Sequence, residues 1–145
     1  MKASIFYLCL FFAIGFVQLN AQVDDEKSDM ELITATLTDY IEGSTNGQPD
    51  RLKKAFHSDL NLYYIDGGEL KTWSGEAYIA DTKEGKPTGE LGKIISIDFE
   101  NDIAVAKVQI SDPKNPIPYI DYFMLAKVKG HWTIIHKMFT KRVNE

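Results

Sequence analysis

Two long segments in the last third of the chain alternate apolar and polar residues, and this pattern constrains the fold most strongly. The segments are residues 94–110 and 118–140, interrupted at residues 101–102 and 129–130. Alternation over such lengths is typical of strands with one buried face, and the interruptions are typical of tight turns. Each segment therefore predicts an antiparallel hairpin. Asp121 lies on the predicted inward face of the second hairpin, where a carboxyl group must line a cavity or be paired.

The turn at residues 129–130 sets the register that we predict for the second hairpin. With a two-residue turn, Phe123 faces His136, and Asp121 lies two cross-strand positions from His136. The face that carries Asp121 then comprises Tyr119, Asp121, Phe123, Leu125, Lys127, Trp132, Ile134, His136 and Met138. The opposite face is also rich in apolar residues. This predicts a cavity on one side and a dimer contact or a helix cover on the other.

The first hairpin is predicted to bury one face only. Its inward residues are Ile95, Ile97, Phe99, Ala104, Ala106, Val108 and Ile110. The other face carries polar residues and is predicted to be largely solvated.

The first half of the chain carries signals for helices. Ser28 and Glu31 predict a capping box, after which apolar residues recur at helical spacing. These residues are Met30, Ile33, Leu37, Tyr40 and Ile41. Gly43 and Gly47 are predicted to end this helix, and Pro49 to begin a second one.

Residues 60–65 and 69–73 are predicted strands around a tight turn at residues 66–68. Ser74 is the predicted N-cap of a short third helix, and residues 81–89 are a predicted loop. The order is therefore helix, helix, two short strands, short helix and two long hairpins.

The first 21 residues predict a secretory signal peptide. Lys2 precedes a nearly uncharged apolar run at residues 4–19, and Ala21 is the expected cleavage site. Residues 22–27 are a predicted disordered lead-in. The alternative, an uncleaved membrane anchor, is disfavoured because the run is shorter than the roughly 20 apolar residues of a spanning helix. The sequence after the leader contains no cysteine, so we expect a bacterial periplasmic or secreted protein without disulfides.

Composition and net charge argue against several kinds of binding partner. The chain has 145 residues and a net charge of −5, which predicts one domain without a basic surface for nucleic acid or anionic lipid. We therefore expect no nucleic-acid partner, and no membrane attachment after cleavage. No metal site is predicted, because the three histidines are scattered and no cysteine follows the leader.

Five motifs resemble a known superfamily. They are residues 36–43, 55–59, 70–79, 121–128 and 130–137. Together they resemble the nuclear transport factor 2-like (NTF2-like) superfamily, in its branch called Putative lumazine-binding, close to the SnoaL-like proteins. The resemblance covers residues 30–142 and implies an α+β cone, in which a curved mixed or antiparallel sheet wraps around about three helices and an internal cavity. The domain is expected to span residues 28–142.

Ketosteroid isomerases share this superfamily and use a tyrosine and a protonated aspartic acid as hydrogen-bond donors, with a second aspartate as base. Tyr40 and Asp121 occupy the two donor positions in this resemblance. Tyr64 occupies the position of the base, and a phenol with a pKa near ~10 is no base at ordinary pH. The resemblance therefore implies binding of a polarised carbonyl group without the isomerase reaction.

The candidate ligand-contacting residues are Tyr40, His57, Tyr64, Trp73, Asp121, Phe123, Trp132 and His136. Aromatic rings of this kind suit a flat heteroaromatic ligand such as a pteridine. Each of four candidates also has a structural interpretation. Tyr40 is then a core residue, and Asp121 is paired with an amide or a tyrosine. His57 is then a helix cap, and His136 is a hydrogen-bonded strand residue.

The leading prediction is an exported small-molecule-binding domain with its pocket inside the cone and with no or weak catalysis. Its expected ligand is a small hydrophobic or heteroaromatic molecule, such as a lumazine-like pteridine, with no other cofactor. A homodimer through the outer sheet face is expected. One alternative is an isomerase, dehydratase or cyclase with His136 or His57 as base and Tyr40 and Asp121 as donors. The other is a protein-interaction module with a filled cavity.

Overall fold

The computed structural model describes residues 27–142. In chain order the elements are α1 (Asp29–Thr45), α2 (Pro49–Ala55), β1 (Phe56–Asp66), β2 (Glu69–Ser74), α3 (Gly75–Asp81), β3 (Leu91–Glu100), β4 (Ile103–Asp112), β5 (Asn115–Val128) and β6 (His131–Lys141). The predicted signal peptide and all of the lead-in except Lys27 lie outside the described residues. None of the described helices is long and apolar enough to cross a membrane.

The predicted helix starts are confirmed. The Ser28 hydroxyl accepts a hydrogen bond from the Glu31 amide at 3.3 Å, and the Glu31 carboxylate accepts one from the Ser28 amide at 2.8 Å. Pro49 occupies the first turn of α2, and the Ser74 side chain caps α3. These starts follow from local hydrogen bonding and from the fixed φ of proline, so sequence alone reveals them.

Gly43 does not end helix α1, contrary to the prediction. It lies inside the helix, and a Cβ atom there would lie 2.8 Å from Leu52 Cγ of α2. The glycine therefore lets the two helices approach closely. The helix ends at Thr45, just before Gly47, whose φ of +66° suits a residue without a Cβ atom.

The strands form one six-stranded sheet in the order β2-β1-β6-β5-β4-β3. Neighbouring strands are antiparallel except β1 and β6, which are parallel, so the sheet is mixed. Helix α1 packs against β3 and β6, and α3 packs against β1. Their apolar faces meet the inner face of the sheet in a core that includes Ile33, Leu37, Leu52, Leu62, Val108, Leu125 and Ile134. This is the architecture that the resemblance implies.

The predicted register of the last hairpin is wrong beyond its first residues. Val128 pairs with His131 as expected, but the pairing shifts between Met124 and Leu125. Leu125 pairs with Ile134 and Met124 with His136, so Ile135 is an extra residue in β6. A bulge of this kind moves all following side chains to the other face.

Consequently Phe123 pairs with Lys137 rather than with His136. Lys137 and Phe139 point to the inner face, whereas His136 and Met138 lie on the outer face. A second bulge, in β3, likewise changes the predicted inward face of the first hairpin. Ile95 is the extra residue in β3 and is 43% exposed, and Ile94 takes its predicted place against the core.

Ion pairs join the helices to their neighbours. Asp39 of α1 accepts contacts from Arg51 at 2.9 Å and Lys54 at 2.6 Å, both on α2. Asp29, at the start of α1, accepts hydrogen bonds from the Trp132 indole at 2.8 Å and from Lys127 at 2.7 Å. These contacts join α1 to α2 and to the final hairpin.

We predict that Asp39→Asn destabilises the protein at neutral pH but not in acid. Burial alone raises the pKa of the Asp39 carboxyl, but hydrogen bonds from Lys54 and Arg51 outweigh it and lower the pKa below its usual value of 3.8. A lowered pKa contributes stability above the unfolded pKa that is lost as the pH falls through the folded pKa. Urea unfolding should show a deficit of about 1 kcal/mol at pH 7.

The deficit should shrink towards zero as the pH falls below 3.8, the ordinary pKa of the group. Asp50→Asn is the matched control, because within residues 27–142 Asp50 pairs only with Lys53, at the solvent-exposed start of α2. A deficit for Asp39→Asn that stays constant with pH would contradict the proposed charge coupling.

Candidate functional site

A cavity of about 520 Å³ lies between the inner face of the sheet, helices α1 and α3, and the loop of residues 82–90. Small-molecule sites commonly span ~300–1,000 Å³. Its lining residues are Tyr40, Ser44, Gly47, Trp73, Tyr78, Asp81, Thr82, Lys83, Lys86, Pro87, Thr88, Glu90, Ile110, Tyr119, Asp121, Lys137 and Phe139. The structure therefore does not contain the filled cavity that the protein-interaction alternative predicts.

Three polar side chains from three elements meet at the base of this cavity. The Tyr40 hydroxyl of α1 donates a hydrogen bond to Asp121 Oδ2 of β5 at 2.6 Å. Lys137 Nζ of β6 donates to the Tyr40 hydroxyl at 2.7 Å and lies 3.2 Å from Asp121 Oδ2. Asp121 and Lys137 meet because they occupy adjacent cross-strand pairs on the inner face, Asp121 with Phe139 and Phe123 with Lys137.

These groups are almost completely removed from water. The Lys137 and Asp121 side chains are 6% and 2% exposed. Burying one charge alone would be very costly, so each of the two groups compensates the other. Burial raises the pKa of the Tyr40 hydroxyl well above its usual value, and the neighbouring Asp121 and Tyr78 raise it further. Tyr40 therefore remains a neutral phenol that can donate and accept a proton.

Aromatic rings surround the Lys137 amine. Its Nζ atom lies 4.8 Å from the ring centre of Tyr40, 5.3 Å from that of Tyr78 and 5.0 Å from that of Phe139. Ring faces attract cations and exclude water. The base of the cavity thus presents one amine, that of Lys137, next to a carboxyl group and surrounded by aromatic rings.

The loop of residues 82–90 forms the mouth of the cavity and is hydrogen-bonded to the end of α1. The Gly85 amide donates to the Gly47 carbonyl, and the Thr88 amide to the Thr45 carbonyl, each at 2.8 Å. A Cβ atom at Gly47 would collide with the Lys83 carbonyl oxygen. The loop therefore needs a glycine at this position, and it brings Lys83 to the rim.

Three of the predicted site residues, Tyr40, Trp73 and Asp121, line this cavity. Phe123 instead packs in the core with its ring centre 4.8 Å from that of Tyr40. Tyr64 lies behind the cavity wall, stacked on Phe139 at 5.1 Å.

Trp132, His57 and His136 lie elsewhere. The indole of Trp132 is bonded to Asp29, at the first residue of α1. His57 belongs to β1 rather than to the end of a helix, and its Nδ1 accepts a hydrogen bond from the Asp59 amide at 3.2 Å. The bulge places His136 on the outer face, beside Tyr63 at 5.6 Å. Neither His57 nor His136 lines the cavity, so the histidine-base alternative has no base there.

Sequence reasoning missed Lys137, Tyr78 and the mouth loop as parts of the site. For Lys137 the alternation of the sequence gave no signal, because the change of phase shows only in the burial of the folded strand. Trp132, Ile134 and Lys137 are buried, so the inward positions of β6 change from even to odd numbers. Such a phase change is what a bulge produces.

The fold and its cavity define the class of NTF2-like proteins. A crystal structure of an NTF2-like protein of unknown function from Shewanella baltica OS155 aligns with a TM-score of 0.68 at 23% identity, covering 79% of this chain and 94% of that chain. An NTF2-like protein of unknown function from Methylobacillus flagellatus KT aligns with a TM-score of 0.68 at 25% identity, covering 81% and 97%.

Within this class, the chain belongs to the family described as "Putative lumazine-binding", whose family model matches residues 28–140. The recognised resemblance is therefore confirmed. A curated relative, Aldolase FrzH from Cladobotryum sp, is 29% identical over 117 residues, which cover 77% of this chain and 90% of that protein.

We predict that Asp121→Asn destabilises the protein strongly, and that adding Lys137→Met restores most of the loss. The single change leaves the buried ammonium without its carboxylate, at a cost of about 3 kcal/mol. The second change removes the unpaired charge, while the new amide still accepts the Tyr40 hydrogen bond. Urea unfolding of the single and double variants measures the difference. A double variant no more stable than Asp121→Asn would show that the charges are not coupled.

Proposed function

We propose that this protein binds a small, flat molecule carrying a carbonyl group in the cavity above Tyr40, Asp121 and Lys137. The observation that supports this most directly is the combination of a polar base with aromatic walls. Trp73, Tyr78 and Phe139 line the cavity. Apolar walls with a few convergent polar groups are typical of small-molecule sites.

The polar side chains at the bottom of the cavity still have a hydrogen-bond donor and an acceptor to offer a ligand. A lysine ammonium carries three donors, and Tyr40 and Asp121 engage two of them. The remaining donor suits a carbonyl oxygen. Tyr40 and Lys137 both contact Oδ2 of the Asp121 carboxylate, which leaves Oδ1 to accept a hydrogen bond from a ligand N–H. A cyclic imide edge, as in lumazine, offers a carbonyl oxygen beside an N–H and matches this pair.

We predict that ligand binding quenches the fluorescence of Trp73 and not that of Trp132. The chain has only these two tryptophans, and only one of them lines the cavity: Trp73 does, whereas the indole of Trp132 is bonded to Asp29. Titration of purified protein with lumazine should give saturable quenching that survives in Trp132→Phe and disappears in Trp73→Phe.

Circular dichroism of both variants controls for folding. The panel also includes a flavin and an aromatic ketone, to vary ring size and the donor pattern. No saturable response to any of the three, or equal quenching in both variants, would overturn the proposal.

A second candidate function is carbon–carbon bond formation or cleavage of the aldol type. The relative named Aldolase FrzH supports it. The specific structural observation in its favour is an amine within hydrogen-bonding distance of a phenol and a carboxylate at the base of the cavity. Aldol chemistry on an enzyme amine requires such groups.

For the partner, we propose a second copy of the chain on the outer face of the sheet. Apolar side chains stand exposed there on neighbouring strands: Val105, Tyr122 and Met124 are each 52% exposed and Met138 is 50% exposed. They adjoin one another, because Val105 pairs with Met124 and Tyr122 with Met138. A contiguous apolar patch of this kind is typical of an interaction surface.

We predict that Met124→Glu converts a dimer to a monomer. A buried carboxylate in the centre of the patch would have no partner, so association should weaken by at least about 100-fold. Size-exclusion chromatography with light scattering measures the mass. Leu70→Glu is the matched control, since Leu70 is 60% exposed on the edge strand β2, away from the patch. A monomeric wild-type protein would refute the dimer.

A further inference from the structure

We propose that Lys137 is a nucleophile that forms a Schiff base with the carbonyl group of the bound molecule, so that the cavity is an amine-dependent catalytic site. This inference rests on the proposed function, because the carbonyl compound must first enter the cavity. It adds the covalent step and the residue that performs it.

The position of Lys137 distinguishes it from the other lysines of the described chain that reach the cavity. Lys83 and Lys86 lie on the exposed mouth loop, where water solvates their ammonium groups. Lys137 lies at the base with its side chain 6% exposed, between the rings of Tyr40, Tyr78 and Phe139. A carbonyl compound stacked against these rings would meet the Lys137 amine.

A lysine attacks a carbonyl carbon only as the free amine, so its extra proton needs an acceptor. The structure provides a short relay. Lys137 Nζ donates to the Tyr40 hydroxyl at 2.7 Å, and Tyr40 donates to Asp121 Oδ2 at 2.6 Å. Lys137 gives a proton to Tyr40 while Tyr40 gives its own to Asp121. The ammonium and carboxylate become an amine and a carboxylic acid, and Tyr40 stays neutral.

The covalent step then balances. The amine lone pair forms a C–N bond as the carbonyl π bond breaks, and the oxygen takes the proton from Asp121. The nitrogen returns a proton to Asp121, which gives it to the departing hydroxyl group. The products are an iminium ion on Lys137, the Asp121 carboxylate and one water molecule.

The iminium ion makes carbon–carbon chemistry accessible. It acidifies the neighbouring C–H, and the Asp121 carboxylate removes that proton to leave an enamine. The enamine carbon then attacks a second carbonyl carbon, on another molecule or elsewhere in the same one, and Asp121 protonates the resulting alkoxide. Water hydrolyses the iminium ion, which releases the product and the Lys137 ammonium.

The test is chemical trapping on the full chain, with two probes. The 1,3-diketone 2-acetylcyclohexanone forms a stable, absorbing enaminone with a nucleophilic lysine. Benzaldehyde with sodium borohydride reduces any Schiff base to a permanent amine. Intact-mass measurement and peptide mapping should show one adduct on Lys137, formed well before the exposed lysines react.

Lys107 provides an internal control, because its amine also lies over an aromatic ring, that of Tyr122 at 5.2 Å, but on the outer face of the sheet. Lys107→Met should leave the adduct unchanged. The double variant Asp121→Asn with Lys137→Met, which removes both charges together, should form no adduct.

The outcomes separate this inference from the proposed function. A probe that quenches Trp73 saturably but leaves no adduct on Lys137 would overturn the covalent role and keep the binding site. Adducts spread evenly over Lys107 and the other exposed lysines would overturn it equally. If the probes neither quench Trp73 nor react, then the proposed binding of carbonyl compounds fails together with the covalent step.

Discussion

One extra residue in the last strand determines what the cavity contains. Because Ile135 is a bulge between Ile134 and His136, every later side chain of β6 changes faces. A regular strand would place His136 opposite Phe123, on the same face as the carboxyl group of Asp121, and send Lys137 to the outer surface. The contact of Lys137 with Asp121 and the aromatic rings around its amine both depend on this local departure from regular pairing. The bulge therefore determines which side chains line the cavity, and bulges that redirect side chains in this way are common beside active sites.

The ion pair at the base of the cavity is a poor means of stabilising a fold. Desolvating an ammonium and a carboxylate offsets most of their attraction, and apolar pairs of similar volume are often as stable or more so. Tyr40 improves the arrangement by bonding to both Asp121 and Lys137, yet the site still removes two charges from water. Stability alone does not account for this. The proposed binding of a ligand at the base of the cavity accounts for these polar groups.

Local signals in the sequence predicted most of the architecture. The cap at Ser28, the proline at the start of α2 and the cap at Ser74 act within a few residues, so single segments reveal them. The adjacency of Tyr40 and Asp121 came from the family resemblance, since no local pattern joins residues 81 positions apart. The predicted register is wrong beyond Ile135, because alternation assumes uninterrupted pairing and a bulge depends on the partner strand. Trp132 was misplaced for a related reason, because a face shared along a strand does not reveal which end of the cone a residue reaches.

The two ends of helix α1 are attached to the rest of the fold in different ways, which bears on how a ligand would enter the cavity. At one end, Trp132 and Lys127 hold Asp29 and thereby join α1 to the final hairpin. At the other end, the loop of residues 82–90 is attached to α1 by main-chain hydrogen bonds at Gly47 and Thr45, and most of its residues are exposed. Segments with few buried contacts open at low free-energy cost, whereas core strands do not. For a molecule that binds as proposed, displacing the loop therefore costs less free energy than displacing a strand. The loop then carries the proposed route of access, and strand β6 carries the amine that is proposed to react.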